Sequence, residues 1–161
     1  VNDLLMHIKP LAPVFLPINK YGSQAKESSL QINNAYESDE QMLIFPAGLC
    51  SRLQHGKIKD LEWKKTFIAK AVQSQRAIIP IYFEGRNSTF FYRFAQIRKC
   101  IGLKFNIELI YLPDEMFNSK NKTFDIYIGK PIPWQTFDKS KSLQEWAQIV
   151  KEKVYQIKKN Q

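Results

Sequence analysis

The sequence predicts a single α/β domain built on a mostly parallel, mixed sheet covered by helices. Three observations predict it. Apolar segments such as 42–45 and 78–83 run continuously rather than alternating, as strands buried on both faces do. Amphipathic helical stretches separate them, the pattern of a layered α/β domain. Late in the chain two strand-like segments, 105–112 and 123–128, follow each other with no helix between, which adds an antiparallel component.

In chain order, residues 14–18 form a short β-like run in which Pro17 marks an edge or irregular end. Residues 23–39 are polar with weak helical spacing through Leu30, Ile32 and Ala35. The strand at 42–45 stops at Pro46 and Gly48. Asp60 is the expected N-cap of a helix whose face carries Trp63, Phe67, Ile68, Ala71 and Val72. The strand at 78–83 leads into a helix over 87–100, with Phe90, Phe94, Ile97 and Ile101 as its expected core stripe. Ser142 and Glu145 form a capping box that opens a last helix with the stripe Leu143, Trp146, Val150, Val154 and Ile157.

A length of 161 residues fits one domain, 1–161, large enough to enclose a core. Hydrophobic residues at 44% and charged residues at 24% exclude wholesale disorder. The longest apolar runs, 11–18 among them, fall short of the roughly 20 residues a membrane-spanning helix needs. The N-terminus has no signal-peptide pattern. Cys50 and Cys100 are too few for a disulfide framework and lack metal-ligand spacing, which fits a reduced cytoplasmic setting. Val1 without an initiator Met reads as the start of a piece of something longer.

Lys and Arg outnumber Asp and Glu by 24 to 15, and the formal charge of +9 favours anionic partners. The basic residues are dispersed and match no nucleic-acid motif, and Trp63, Trp134 and Trp146 fall on core stripes, so nucleic acid is not the expected partner. The lysines at 151, 153, 158 and 159 form a solvated helix face that also suits an anionic membrane surface. In open α/β sheets ligands bind beyond the carboxyl ends of strands. Three such ends here share one pattern of apolar run, then Gly or Asn, then a cation or hydroxyl. They are Phe15-Leu-Pro-Ile-Asn-Lys20, Leu43-Ile-Phe-Pro-Ala-Gly-Leu-Cys-Ser-Arg52 and Ile79-Pro-Ile-Tyr-Phe-Glu-Gly-Arg-Asn-Ser88. Lys20, Arg52 and Arg86 then converge as an anion site. Gly48 and Gly85 allow close backbone approach, and Ser51, Asn87 and Ser88 add neutral donors. Asn87 is placed to cap the following helix and leave its N-terminus open to an anion.

The three segments in this order resemble the conserved blocks of the glycerolphosphate and lysophosphatidate acyltransferase family. Residues 45–52 resemble its Phe-Pro-Glu-Gly block, 15–20 its upstream Phe-Ile-Asp-Arg block, and Ile79-Pro-Ile81 its Val-Pro-Val block. Ile128-Gly-Lys-Pro-Ile132 resembles its Gly-x-Pro-Ile signature. The chain looks closest to the bacterial branch of hemolysin-like and ornithine-lipid-type acyltransferases. Ala47 stands where the family has Glu, the Ser51-Arg52 pair is shifted by about one place, and Lys20 replaces Arg. The resemblance implies transfer of a fatty acyl group from acyl-CoA or acyl carrier protein to a hydroxyl of a lyso-lipid or glycerol phosphate. It implies no cofactor beyond that co-substrate and no metal, with peripheral contact at the inner face of the membrane. Lys20, Gly48, Ser51, Arg52, Gly85, Arg86, Asn87 and Ser88 would bind substrate. The family's His-x4-Asp dyad, in which His takes the acceptor's proton, lies upstream of the Lys20 block, so a catalytic pair is expected before Val1. His55-Gly-Lys-Ile-Lys-Asp60 fits the spacing literally but follows the Phe-Pro-x-Gly block, in the wrong order. The competing reading is a non-catalytic domain that binds phosphate-bearing lipid head groups.

Overall fold

The computed structural model describes residues 9–10, 12–16, 24–103 and 105–157, which divide into two units, 1–44 and 45–161. In the first, a single 3-10 turn, Ala12–Val14, precedes helix α1, Gln24–Glu37. Pro17 and Ile18 of the expected 14–18 strand, and Lys20, lie outside the described residues.

In the second unit the chain forms a small hairpin, β1 Arg52–Gln54 against β2 Lys57–Lys59. Helix α2, Thr66–Gln73, follows and leads to strand β3, Ile81–Glu84. Next comes helix α3, Thr89–Cys100, then a 3-10 turn, Ile107–Tyr111, continuing into the short helix α4, Leu112–Phe117. Strand β4, Asp125–Ile128, a 3-10 turn, Trp134–Thr136, and helix α5, Leu143–Ile157, follow.

The mostly parallel sheet covered by helices does not form. The described residues hold two two-stranded sheets, β1–β2 and β3–β4, both antiparallel, with five α-helices. The expected strand at 42–45 belongs to no ladder among the described residues, so β3 pairs with β4 alone, extended by a bridge between Ile78 and Ile132. Continuous apolar strands were read as doubly covered. Here Ile81 and Phe83 face solvent together with their cross-strand partners Ile128 and Ile126.

Segment 105–112 is also not a strand. Glu108, at its centre, is fully buried between two arginines, and Pro113 suits the first turn of α4. The stripe expected to bury α3 points outward: Phe90, Ile97 and Ile101 are exposed, while Phe91, Tyr92 and Ala95 are buried. Two contacts set that rotation. Ser88 caps the helix through Phe91 N–H, and Arg98 reaches Glu108. Phe90 and Phe94 pack against Tyr111 instead of a core, with ring centroids 5.3 and 5.6 Å away.

The core lies between α2 and α5. Trp63, Phe67 and Ile68 meet Ala147, Val150 and Val154, with Ile132 and Phe137 closing the cluster. The capping box forms as expected, with Glu145 accepting from both the Ser142 amide and hydroxyl. Asp60 is not a helix cap. Helix α2 starts after Lys65 with no side-chain cap, and Asp60 instead holds Ser51 and Trp63.

Candidate functional site

Residues 45–48 form a tight turn in which Gly48 N–H donates to the Phe45 carbonyl at 3.0 Å. Gly48 has φ +68°, a left-handed conformation that glycine adopts freely. A Cβ there would stand 3.2 Å from the Lys64 ammonium, which lies over the turn, while Lys64 N–H donates to the Pro46 carbonyl. Lys64 thus adds a cation to this block. Its sequence offers no local signal for that role, since the contact spans the β1–β2 hairpin.

Three residues on, the Ser51 hydroxyl donates to the Asp60 carboxylate at 2.6 Å. Arg52 is largely buried, its side chain 12% exposed. Its Nη1 donates to the carbonyls of Cys50 and Ser51, its Nη2 to Glu108 Oε1 at 2.7 Å, and its guanidinium lies over the Phe91 ring. Cys50 sits beside it, and burial pushes its thiol up despite the nearby guanidinium, so it is held as a neutral thiol rather than a thiolate nucleophile.

The third block follows β3. Gly85 lets the Phe83 ring lie close over the backbone: a Cβ would fall 2.1 Å from that ring, which would have to swing away. Asn87 does not cap α3; its N–H donates to the Tyr92 hydroxyl, which burial pushes up, and Ser88 is the cap. The start of α3 already has an internal anion, because the Ser88 amide and hydroxyl both donate to the Glu115 carboxylate. Beside it opens a recess of about 540 Å³ lined by residues 84–89, among them Glu84 and Arg86, on one side and by Lys122, Thr123 and Phe124 on the other.

The eight expected residues therefore fall into groups. Gly85, Arg86, Asn87 and Ser88 share one recess. Gly48, Ser51 and Arg52 gather around the 45–52 turn, and Lys20 lies outside the described residues. The buried Tyr92 accepts, through its hydroxyl, from the Asn87 N–H of the recess group. Lys122 and Glu108 were missed. Glu108 left a readable trace: one carboxylate inside the apolar run Ile107-Glu-Leu-Ile-Tyr111 has to find a partner if that run is buried. His55 stands exposed at the tip of the β1–β2 hairpin with φ +48°, and the carboxylate five residues on is engaged elsewhere, so the two form no dyad.

Two curated proteins and one family are similar to the chain. The chain is 56% identical over 157 residues to the lyso-glycine lipid O-acyltransferase of Bacteroides thetaiotaomicron, covering 98% of the chain and 58% of that protein. It is 55% identical over 157 residues to the lyso-glycine lipid O-acyltransferase of Phocaeicola vulgatus, covering 98% of the chain and 56% of the relative. The chain thus spans less than three fifths of the length of these curated relatives. No solved structure matches it. The acyltransferase family pattern matches residues 1–161, and the chain belongs to the acyltransferase family.

Proposed function

We propose that the protein carrying this chain transfers a fatty acyl group from an acyl thioester, acyl-CoA or acyl carrier protein, to the hydroxyl of a lyso-glycine lipid. The observation that carries the reading is 56% identity to a lyso-glycine lipid O-acyltransferase across 98% of the chain. In the reaction the acceptor oxygen attacks the thioester carbonyl carbon, the C–S bond breaks, and an ester and a free thiol result. The acceptor's proton leaves through a general base and ends on the departing thiol. A glycine joined to lipid through its nitrogen presents a carboxylate, and the site supports binding one. Arg86 and Lys122 line the recess and outnumber its one carboxylate, Glu84, and Arg52 stands at the Phe-Pro-x-Gly block. The reaction needs no metal, and the acyl donor is a co-substrate rather than a cofactor.

The same reading places the protein at the inner face of a membrane. No helix among the described residues is long and apolar enough to cross one. Ile97, Ile101, Phe105 and Phe117 are exposed, and with the +9 charge they support peripheral contact with anionic lipid.

The test is acyl-CoA-dependent transfer to lyso-glycine lipid by the full-length gene product. Activity is expected, and Arg86→Ala should raise the acceptor KM about tenfold with little change in kcat, since it removes ground-state anion binding. Transfer to no lyso-lipid, with binding of phosphate-bearing head groups retained, would replace this reading by the non-catalytic one.

A further inference from the structure

Two guanidiniums share one buried carboxylate beside the Phe-Pro-x-Gly block. Glu108 is 0% exposed; its Oε1 accepts from Arg52 Nη2 at 2.7 Å and its Oε2 lies 2.8 Å from Arg98 Nε. The second contact is an ion pair without hydrogen-bond alignment, so Arg98 Nε and Glu108 Oε2 are both buried without a hydrogen-bond partner. Each arginine side chain is only 12% exposed. Two cations against one carboxylate leave a single surplus positive charge in a poorly solvated place, and such a charge calls for an anion. The Asp60 carboxylate accepts from Ser51 and Trp63 and forms no ion pair with either arginine. Arg52 meanwhile spends Nη1 on two carbonyls and one Nη2 donor on Glu108, which leaves other donors of its five for a ligand.

We infer that Glu108 sets acceptor selectivity: by cancelling one of the two guanidiniums it tunes the site to a monoanionic carboxylate headgroup over a phosphate. This rests on the acceptor reading above. A phosphate monoester carries roughly −1.5 to −2 charges near pH 7, which two unneutralised guanidiniums would match better than one. Glu108 lowers the positive charge around Arg52 and Arg98 by one, which weakens the pull on a doubly charged phosphate more than on a singly charged carboxylate. Glu108 acts through Arg52 and Arg98 and is a positioning and selectivity residue, not a catalytic one.

The experiment compares lyso-glycine lipid with lysophosphatidate as acceptors for the full-length gene product, reading the ratio of kcat/KM. The parent should favour lyso-glycine lipid. Glu108→Gln should move the ratio toward lysophosphatidate by about tenfold or more. The double variant Arg98→Gln/Glu108→Gln, which restores a single surplus charge on Arg52, should bring the ratio back toward the parent. A folded Glu108→Gln protein with an unchanged ratio overturns the inference. Should Glu108→Gln fail to fold, Arg98→Gln decides, because it keeps the Arg52–Glu108 pair and removes the surplus charge: a fall of about tenfold or more in kcat/KM for lyso-glycine lipid supports the inference and an unchanged value overturns it. A parent that acylates neither acceptor overturns the acceptor reading itself.

Discussion

Asp60 ties together three stretches of chain, two through its carboxylate and the third through its backbone. One oxygen accepts from the Ser51 hydroxyl at 2.6 Å and the other from the Trp63 indole at 3.1 Å. Its backbone N–H donates to the Tyr155 hydroxyl on α5, and its carbonyl accepts from Lys151, whose ammonium burial pushes down. Trp63 belongs to the core, so the indole N–H has little access to water once Asp60 is gone. Asp60→Ala is therefore expected to lower stability by about 1–3 kcal/mol, the cost of leaving a buried donor unpaired. Asp60→Asn, which keeps one acceptor oxygen, should cost less. Urea unfolding followed by tryptophan fluorescence measures both; equal losses would show that the acceptor oxygens contribute nothing.

At the scale of elements, what could be read from sequence depended on whether one local signal or a distant ion pair decided the outcome. Helix α5 was legible because its capping box and its apolar stripe agree: Val150 and Val154 are buried where the period puts them. Helix α3 was legible in extent but not in rotation, because Glu108, ten residues beyond Arg98, turns the helix and leaves Ile101 68% exposed. The apolar composition of 105–112 reads as a strand, whereas Glu108, paired with two arginines, sits in a 3-10 turn there. The parallel sheet was inferred from apolar continuity alone, which says nothing about who pairs with whom. Of the site, glycines and cations after β3 were readable as a cluster, whereas Lys64 and Lys122 arrive from distant segments. The α5 box also carries a pH dependence. Glu145 lies below the usual carboxylate range because the Ser142 hydroxyl and amide bond it. A carboxyl depressed in the folded state stabilises above its unfolded pKa, and that stabilisation is lost as pH falls through the folded value. Ser142→Ala should thus lower the melting temperature at neutral pH and flatten its decline on acidification. An acid limb parallel to the parent's would refute the assignment.

Across the molecule, the 45–161 unit buries a core on one side of its β3–β4 ribbon and leaves the other side apolar. Tyr82 and Tyr127 occupy the first face, where Tyr82 packs edge-on against Tyr155 of α5 at 5.9 Å. The second face carries Ile81 opposite Ile128 and Phe83 opposite Ile126, all exposed. Cross-strand pairing makes these four side chains one contiguous patch rather than scattered apolar residues, and Phe124 extends it through its contact with Phe83. Contiguous apolar surface of this kind drives association. The net charge of +9 opposes it by long-range repulsion, which salt screens. The 161-residue chain by itself should therefore self-associate, and more strongly as salt is raised. Ile126→Lys with Ile128→Lys should return it to a monomer without loss of helical content, because neither side chain contributes to the core between α2 and α5. Sedimentation velocity across a dilution series at low and high salt tests this. A parent that stays monomeric at high salt would mean that the patch is too small to pair, and association that survives both substitutions would locate the contact elsewhere, with the outward stripe of α3 as the next surface to charge.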